Sequence, residues 1–523
     1  MINIKTYGRH TLYANYTENE LLSGTREDQS KRVISILQDI KFQGLHDLNY
    51  QETRYLVDYM YGDQDIKFKT KKTRQDINNT SVENWAYAFV DWKKTFLLGK
   101  PVQYAPVNDV SNEEIIELNS YMTYEGKNFA DMDLWEDVLA TGRGFRYNNA
   151  TPMNDEDEAP FEIINLDPAM TEVVYSSGIN HEQLLAFVET RMMSYVEQYN
   201  KIENIKEMQE VPYSEYTVYS RNTQFVITDK DGVWKVKSIT PLIINEHIVT
   251  EYYLNKKRMG IIELGKDIFD NINYVENLDL DDIEAFVNSI MVFTNAEVNK
   301  ASMEAIQEYG AVSIKSTDQK KATVEILQSR LKSLDTQIYY VRKLAALHAI
   351  LSVPQASNDG QINAETGKAM LTGQGFTSSS IRVEAEELAF IKSDKKSLKT
   401  ILKICKRNPR SKIKNIKVSD IVVKLSRDLS ENLLTKTQAL MNLQSANIPP
   451  EVRNQVVNLF SDPVAVTKLQ EKFEEERRLL QEEISKQNQT SNLTSKDTVS
   501  DNNKISAQNN SIKNVISAEE QQQ

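Results

Sequence analysis

Three groups of residues in this chain have the type and spacing to do chemistry. The first is Gly99-Lys100, inside the stretch FVDWKKTFLLGKPVQYAP (Phe89 to Pro106). A phosphate-binding loop needs four residues between two glycines, then Gly-Lys and a Ser or Thr. Successive backbone N–H groups wrap the phosphates there, and the hydroxyl holds magnesium. In this chain Lys94 stands where the first glycine belongs, and Pro101, which has no N–H, follows Lys100. The nucleotide reading therefore fails. The pattern instead predicts a helix from Trp85 to Leu98, with Trp85, Phe89, Trp92 and Phe96 at helical spacing, Gly99 as its stop and Pro101 beyond. A strand is expected to start at Val102-Gln103-Tyr104.

The second group is acidic. Asp267 to Asn299 contains eight carboxylates (Asp267, Asp270, Glu276, Asp279, Asp281, Asp282, Glu284 and Glu297) and no Gly, Pro, Lys or Arg. Ile272, Val275, Ile283, Phe286, Val287 and Ile290 recur near helical spacing. One amphipathic helix with a strongly negative face is expected, about 50 Å long if fully helical. Like charges three and four apart weaken an isolated helix, so packing or a task must justify them. The third group is basic: Lys395 to Lys417 carries ten Lys and Arg and no acid, among them Lys395, Lys396, Lys406, Arg407, Arg410 and Lys412. Such a run can bind nucleic acid, stay a solvated face, or meet carboxylates of a neighbouring copy.

Other chemistries find no residues. The histidines (His10, His46, His181, His247, His348) are scattered, and no pair has zinc-helix spacing. His348, on the LAALHAIL face, is expected to be a satisfied core histidine. No G-x-S-x-G elbow occurs, and GQGFTS and GRGFRY lack the third glycine and preceding strand of a dinucleotide site. A single cysteine, Cys405, excludes an internal disulfide, fits a reducing compartment and is expected to be buried and inert. Neither catalysis, a metal nor a cofactor is expected.

The elements that must hold these groups follow from composition and pattern. At 523 residues, 40% hydrophobic and 26% charged, the chain is globular and long enough for two or more domains. A net charge of −13 argues against a protein that coats DNA through a basic surface. MINIKTYGRH lacks the basic start and apolar core of a signal, and no run is apolar enough to span a membrane. A cytosolic origin, neither secreted nor spanning, is expected. Residues 1–265 mix helices with strand-like runs, EYTVYS, TQFVITD and GVWKVKSIT, the last two joined by a turn at Asp229-Lys230-Asp231-Gly232. This is expected to be an α+β domain with an antiparallel part, interrupted by the acidic loop Met153 to Pro160. EYGAVSIKS and KKATVEILQS are expected to be short strands beside a small helix, Ser302 to Glu308. A helix from Leu334 to Leu351 closes at Pro354, and the polar segment Gln355 to Glu365 forms a loop. A further helix runs from near Gly367, interrupted around GQGFTSSS, to Lys406. Three helical stretches follow Asp420, the last Val466 to Ser485, and the Asn/Gln/Ser-rich tail from Lys486 is expected to be disordered.

A set of motifs in fixed order adds to this reading. YMYGDQDI (Tyr59 to Ile66), an asparagine-bearing spacer, FVDWKKTFLLGKPVQY, LATGRGFRYNN, NLDPAMTEVVY, TPLIINEH and TGKAML together resemble the portal proteins of tailed bacteriophages, the head-to-tail connector family. The resemblance spans roughly residues 40 to 480. It implies a predominantly helical α+β subunit with wing, stem, clip and crown, assembled into a ring of about a dozen copies. By order, 1–265 is the wing, 266–299 the first stem helix, 300–333 the clip and 334–352 the second stem helix. Residues 353–366 form the channel loop, 367–419 a long wing helix with the basic linker, 420–485 the crown and 486–523 the tail. The implied channel wall is Asp267, Asp270, Glu276, Asp279, Asp282 and Glu284. The implied channel loop carries Gln355, Asn358, Asp359, Gln361 and Asn363, with Lys368 beside it, and Glu308, Lys315, Lys320 and Lys321 of the clip face the motor or adaptor. The resemblance also implies double-stranded DNA in the channel, and the terminase large subunit, scaffold, major capsid and neck or adaptor proteins as partners. The place is the portal vertex of the virion, reached from the host cytoplasm, with no membrane. Another ring-forming neck component and a metal-dependent nucleic-acid enzyme built on the acids are the alternatives.

Overall fold

The computed structural model describes residues 8–287, 290–297, 315–316, 323–327, 333–354, 376–425, 433–450 and parts of 453–481, short breaks within 73–74, 108–111, 154–157, 201–204, 295 and 447 aside. The expected small helix Ser302 to Glu308, the loop Gln355 to Glu365, Lys368, and the tail lie outside the described residues. Two compact units, Met1–Asp428 and Leu429–Gln523, divide the chain.

The first unit opens with β1 (Leu12–Ala14), α1 (Glu18–Leu22), α2 (Arg26–Gln43) and α3 (Leu45–Met60). Thr25 and Asp28 form a reciprocal capping box that starts α2, and Gly44, at φ 67°, stops it in the left-handed region that glycine adopts without steric cost. Helix α4 (Trp85–Leu98) has the expected boundaries. Asn84 accepts the Tyr87 N–H at 3.2 Å at its start, and the Gly99 N–H donates to Thr95 O at 2.8 Å at its end. Gly99 is right-handed, so its role is space: a Cβ there would lie 2.5 Å from Thr95 O. The expected strand follows as β2 (Gln103–Pro106), then α5 (Asn112–Tyr124) and α6 (Lys127–Thr141).

The GRGF motif also turns out to be architectural. Gly142 ends α6 at φ 89°, where a Cβ would lie 2.1 Å from Arg258 O, and Gly144 starts beside Leu134 and Val138. The chain then forms β3 (Arg143–Ala150), β4 (Phe161–Leu166), β5 (Thr171–Ser176), β6 (Gln183–Asn200), β7 (Ile205–Ser220), β8 (Thr223–Thr228), β9 (Lys235–Pro241) and β10 (Val249–Tyr253). A six-stranded sheet has the order β1-β5-β6-β7-β8-β9, antiparallel except for the parallel pair β1/β5, and a second sheet has the order β10-β3-β4. The three expected strand runs are β7, β8 and β9, and the expected turn is a short helical one at Lys230–Gly232.

The acidic segment departs from expectation. Helix α7 runs from Ile261 to Val287, and Ile290–Thr294 is not helix but strand β11, antiparallel to β14 (Thr323–Leu327). Ile290, Val292 and Thr294 are β-branched at alternate positions, with Phe293 between them, and a partner strand outweighs the helical pattern there. Between them, β12 (Ala296–Glu297) pairs with β13 (Lys315–Ser316). Helix α8 (Ser333–Leu351) packs along α7; Gly265 permits this, since a Cβ would meet Leu347 Cδ1 at 2.9 Å. Helix α9 (Phe376–Arg407) begins inside the expected interruption. After Asp420 the chain forms strand β15 (Ile421–Lys424), antiparallel to β2, in place of helix. The pairing with Gln103–Pro106, more than three hundred residues away, decides this.

One core joins α3, α4, α6, the second sheet, α7, α8 and α9 around Trp135, Phe145, Tyr252 and Phe390; another joins α2 to the six-stranded sheet around Val33, Phe187 and Phe225. In the second unit, α10 (Leu433–Ser445) is helical, as are the described residues between 466 and 481.

Candidate functional site

The acids of α7 do not form one free face. Asp281 is buried against Lys69 Nζ at 2.7 Å and Lys71 Nζ at 2.5 Å, and it accepts the Asn79 N–H at 2.7 Å; these partners hold its carboxyl below the ordinary range despite burial. Asp270 accepts from Lys266 at 2.6 Å and from the Tyr59 hydroxyl at 2.7 Å. Glu284 accepts from Asn79 Nδ2 at 3.0 Å. Asp267 and Glu276 are exposed, and Asp279 and Asp282 half-buried. Burial and then neighbouring carboxylates push Glu276 and Asp282 up, Glu83 acting on the first and Asp279 on both. Thus Asp267, Glu276, Asp279, Asp282 and Glu284 form no ion pair among the described residues, although Lys71 draws the Asp282 carboxyl down in part. They wind around the helix instead of forming one straight row.

The inward acids belong to a device that the sequence reading missed. Asn273, Asn277 and Asp281, four residues apart, accept the backbone N–H groups of Glu83, Ser81 and Asn79 at 2.8, 2.7 and 2.7 Å. Asn277 Nδ2 returns a hydrogen bond to Ser81 O at 2.7 Å. Four residues of helix rise about 6.0 Å and two extended residues about 6.6 Å, so the two repeats stay in step over three rungs. The spacer before α4 is therefore strapped along α7. On the neighbouring helix, the Tyr340 hydroxyl donates to Glu83 at 2.6 Å. His348 is packed against Phe89 with ring centroids 4.8 Å apart, its Nδ1 3.0 Å from Val353 O, the satisfied core histidine that was expected.

The basic run divides between α9 and the segment after it. Lys395 and Lys396 are exposed on α9, Lys406 is half-buried and Arg407 exposed. Arg410 donates to Met153 O at 2.8 Å, beside the acidic loop, and Lys412 lies 3.5 Å from Glu117. Lys399 and Lys403 both bind Glu246. Cys405 is buried on the inner side of α9, and burial pushes its thiol up to about 12.

Charge is also concentrated inside the first unit. Between α6 and α9, Asp394 meets Lys127 at 3.1 Å and accepts the Tyr104 hydroxyl at 2.8 Å, while Asp131 meets Lys127 at 2.6 Å and Arg146 at 2.5 Å. Against β5 and β6 of the six-stranded sheet, His46 lies between Glu172 at 3.3 Å and Glu189 at 3.0 Å. Burial opposes its charge, yet the two carboxylates raise it to about 9. Arg143 closes on Glu172 at 2.6 Å and 2.8 Å. These charges are paired with one another, as buried ions must be, although Nε of Arg143 and of Arg146 has no hydrogen-bond partner among the described residues.

Of the expected clip residues, Lys315 lies on β13, while Glu308, Lys320 and Lys321 lie outside the described residues, as do the channel-loop positions Gln355, Asn358, Asp359, Gln361 and Asn363. Among the described residues, no group of three or more His, Cys, Asp or Glu side chains is placed to hold a metal ion, and no helix is long and apolar enough to cross a membrane.

No curated protein matches the chain. A solved chain from the neck of an empty GTA particle, computed with C6 symmetry, matches at 9% identity with a TM-score of 0.41, over 72% of this chain and 90% of its own. The family described as phage portal protein, SPP1 Gp6-like, matches residues 41–490. The strapped acidic helix, the helix packed along it and the small strand pairs between them all fall inside that span, and the chain belongs to the phage portal protein family.

Proposed function

We propose that copies of this chain assemble as a ring of about a dozen at one capsid vertex, forming the passage through which the genome enters the head and later leaves it. Membership of the portal family carries this reading, and α7 with α8 supplies its channel wall. The two helices pack together, and the described residues of the chain between them form the small β11/β14 and β12/β13 pairs. In the proposed subunit, α7 and α8 form the stem, the segment between them the clip that docks the terminase large subunit and later neck or adaptor proteins, and 355–365 the channel loop. Residues 1–260 together with α9 form the wing, which meets scaffold and major capsid protein, and the region after β15 forms the crown. The clip on this reading starts after Val287, earlier than the sequence pattern places it.

A wall along which DNA must slide cannot hold phosphates with lysines, because each neutralised phosphate releases counterions and adds affinity. Carboxylates repel instead, over about 8 Å at physiological salt. Asp267, Glu276, Asp279 and Asp282 are the acids of α7 assigned this role, with Asp270 and Glu284 held back by their partners. The subunit is assigned no catalysis, and the motor supplies the energy.

The test is electron microscopy with mass photometry on the full chain. Rings with a central hole and a mass near twelve or thirteen 60.0 kDa subunits are expected. A monomer or dimer at every salt and concentration overturns the reading.

A further inference from the structure

Two surfaces of the first unit face away from each other and carry opposite charge. On α9, Leu388, Lys392, Lys395, Lys396, Lys399 and Lys403 fall in one strip, about 100° wide and about 22 Å long at helical geometry. Leu388 is 69% exposed. Lys395 and Lys396 are exposed and meet no carboxylate among the described residues. The opposite side of α9 is buried through Phe390, Asp394, Ser397 and Ile401.

That buried side rests in part on α6. Phe390 meets Trp135 edge-on at 5.5 Å, and Asp394 meets Lys127. Half a turn from Lys127, Asp131 and Trp135, the far side of α6 presents Phe129, 72% exposed, with Asp133 exposed and Glu136 half-buried beside it. Lys94 pairs with Glu136 at 2.5 Å, so Asp133 is the acid of this face that forms no ion pair among the described residues; burial and then Glu136 push its carboxyl up, partly offset by Lys94.

We propose that these faces are the two halves of one contact between successive copies of this chain, the Leu388–Lys396 strip of one subunit docking on the Phe129–Asp133 face of the next. The proposal rests on the ring reading above and gives it an interface. A closed ring of identical subunits uses head-to-tail contacts, so each copy must carry two different, complementary surfaces on opposite sides. Here both halves have an exposed apolar anchor, Phe129 or Leu388, next to charges of opposite sign. An anchor of this kind supplies most of the binding free energy and the charges fix the register. Nucleic acid is the weaker occupant for the strip. Glu246 already sits on it between Lys399 and Lys403, and the chain as a whole carries −13.

The full-length chain is compared by mass photometry at low and moderate salt with the double variant Lys395→Glu plus Lys396→Glu. The ring population is expected to fall more than about tenfold. Adding Asp133→Lys to the same chain restores rings, which a merely misfolded strip cannot do. A bis-maleimide is also applied to the double variant Phe129→Cys plus Leu388→Cys. It is expected to give a ladder of covalent oligomers that neither single variant gives, the native Cys405 being buried. Rings unchanged by the charge reversal, with no ladder, overturn the interface and leave the ring reading standing. Intact rings that lose salt-sensitive binding of a short DNA duplex overturn it in favour of nucleic acid. A wild-type chain that never forms rings removes both readings.

Discussion

Replacing Asn277 by alanine tests whether the strap on α7 carries stability. The side chain is fully buried and satisfies both the N–H and the carbonyl of Ser81, each at 2.7 Å. A net hydrogen bond is worth about 1 kcal/mol, so losing the pair costs about 2 kcal/mol. At about 1.4 kcal/mol per factor of ten, local opening of the strap becomes about thirtyfold easier. Global melting is a poor readout in a chain with two compact units, where one transition does not define one free energy. Native-state hydrogen exchange is the suitable assay, because the Ser81 amide reports its own rung and the Asn79 and Glu83 amides report their neighbours. Protection of Ser81 is expected to fall about thirtyfold, with smaller losses at Asn79 and Glu83. The control is Asn271→Ala, on the exposed side of the same helix. Ser81 protection that stays within about threefold of wild type, a difference under about 0.7 kcal/mol, refutes the argument that these rungs hold the segment.

Two further outcomes follow from buried groups. Asp137 is pushed up to about 8 by burial and then by Glu136, Asp167 and Asp133. Its folded pKa lies above its unfolded one, so its favourable contribution is complete below about 4 and is lost as pH rises through about 8. Asp137→Asn is therefore expected to raise the temperature of the transition that unfolds the first unit at pH 9 and leave it nearly unchanged at pH 4; an equal gain at both pH values removes the ionisation argument. Cys405, with its thiol raised to about 12, is expected to resist maleimide at neutral pH until the fold opens. Rapid stoichiometric labelling of the native chain refutes that placement.

Local signals were legible where the deciding contacts are local. Helix α4 follows from Trp85, Phe89, Trp92 and Phe96 with Gly99 and Pro101 behind, all within one short window. The end of α7 was not legible, because Ile290–Thr294 fits a helix by periodicity and becomes a strand only through Thr323–Leu327. The same holds for Ile421–Lys424, whose partner β2 lies near the other end of the unit. Counting carboxylates on α7 overstated the free negative charge, because Lys69 and Lys71 both reach Asp281 from another segment and Lys266 reaches Asp270 from the preceding turn. The Asn273, Asn277, Asp281 spacing was the available clue. It becomes meaningful only once an extended partner with a two-residue repeat is laid beside it. The basic run was legible as a group, but its division into a helix strip and a segment tied to Met153 and Glu117 depends on the fold.

The rungs between α7 and the segment ahead of α4 have a mechanical consequence. Asn273, Asn277 and Asp281 bond an extended track that runs antiparallel alongside the helix, so a load along the helix axis stretches all three together. A load that lifts the track from its Asn79 end meets them singly, Asp281 first. The assembly is therefore stiff to shear and compliant to peeling. A push along α7 is shared with the strapped segment and, through it, with the base of α4, while the strap itself can still be unfastened from one end.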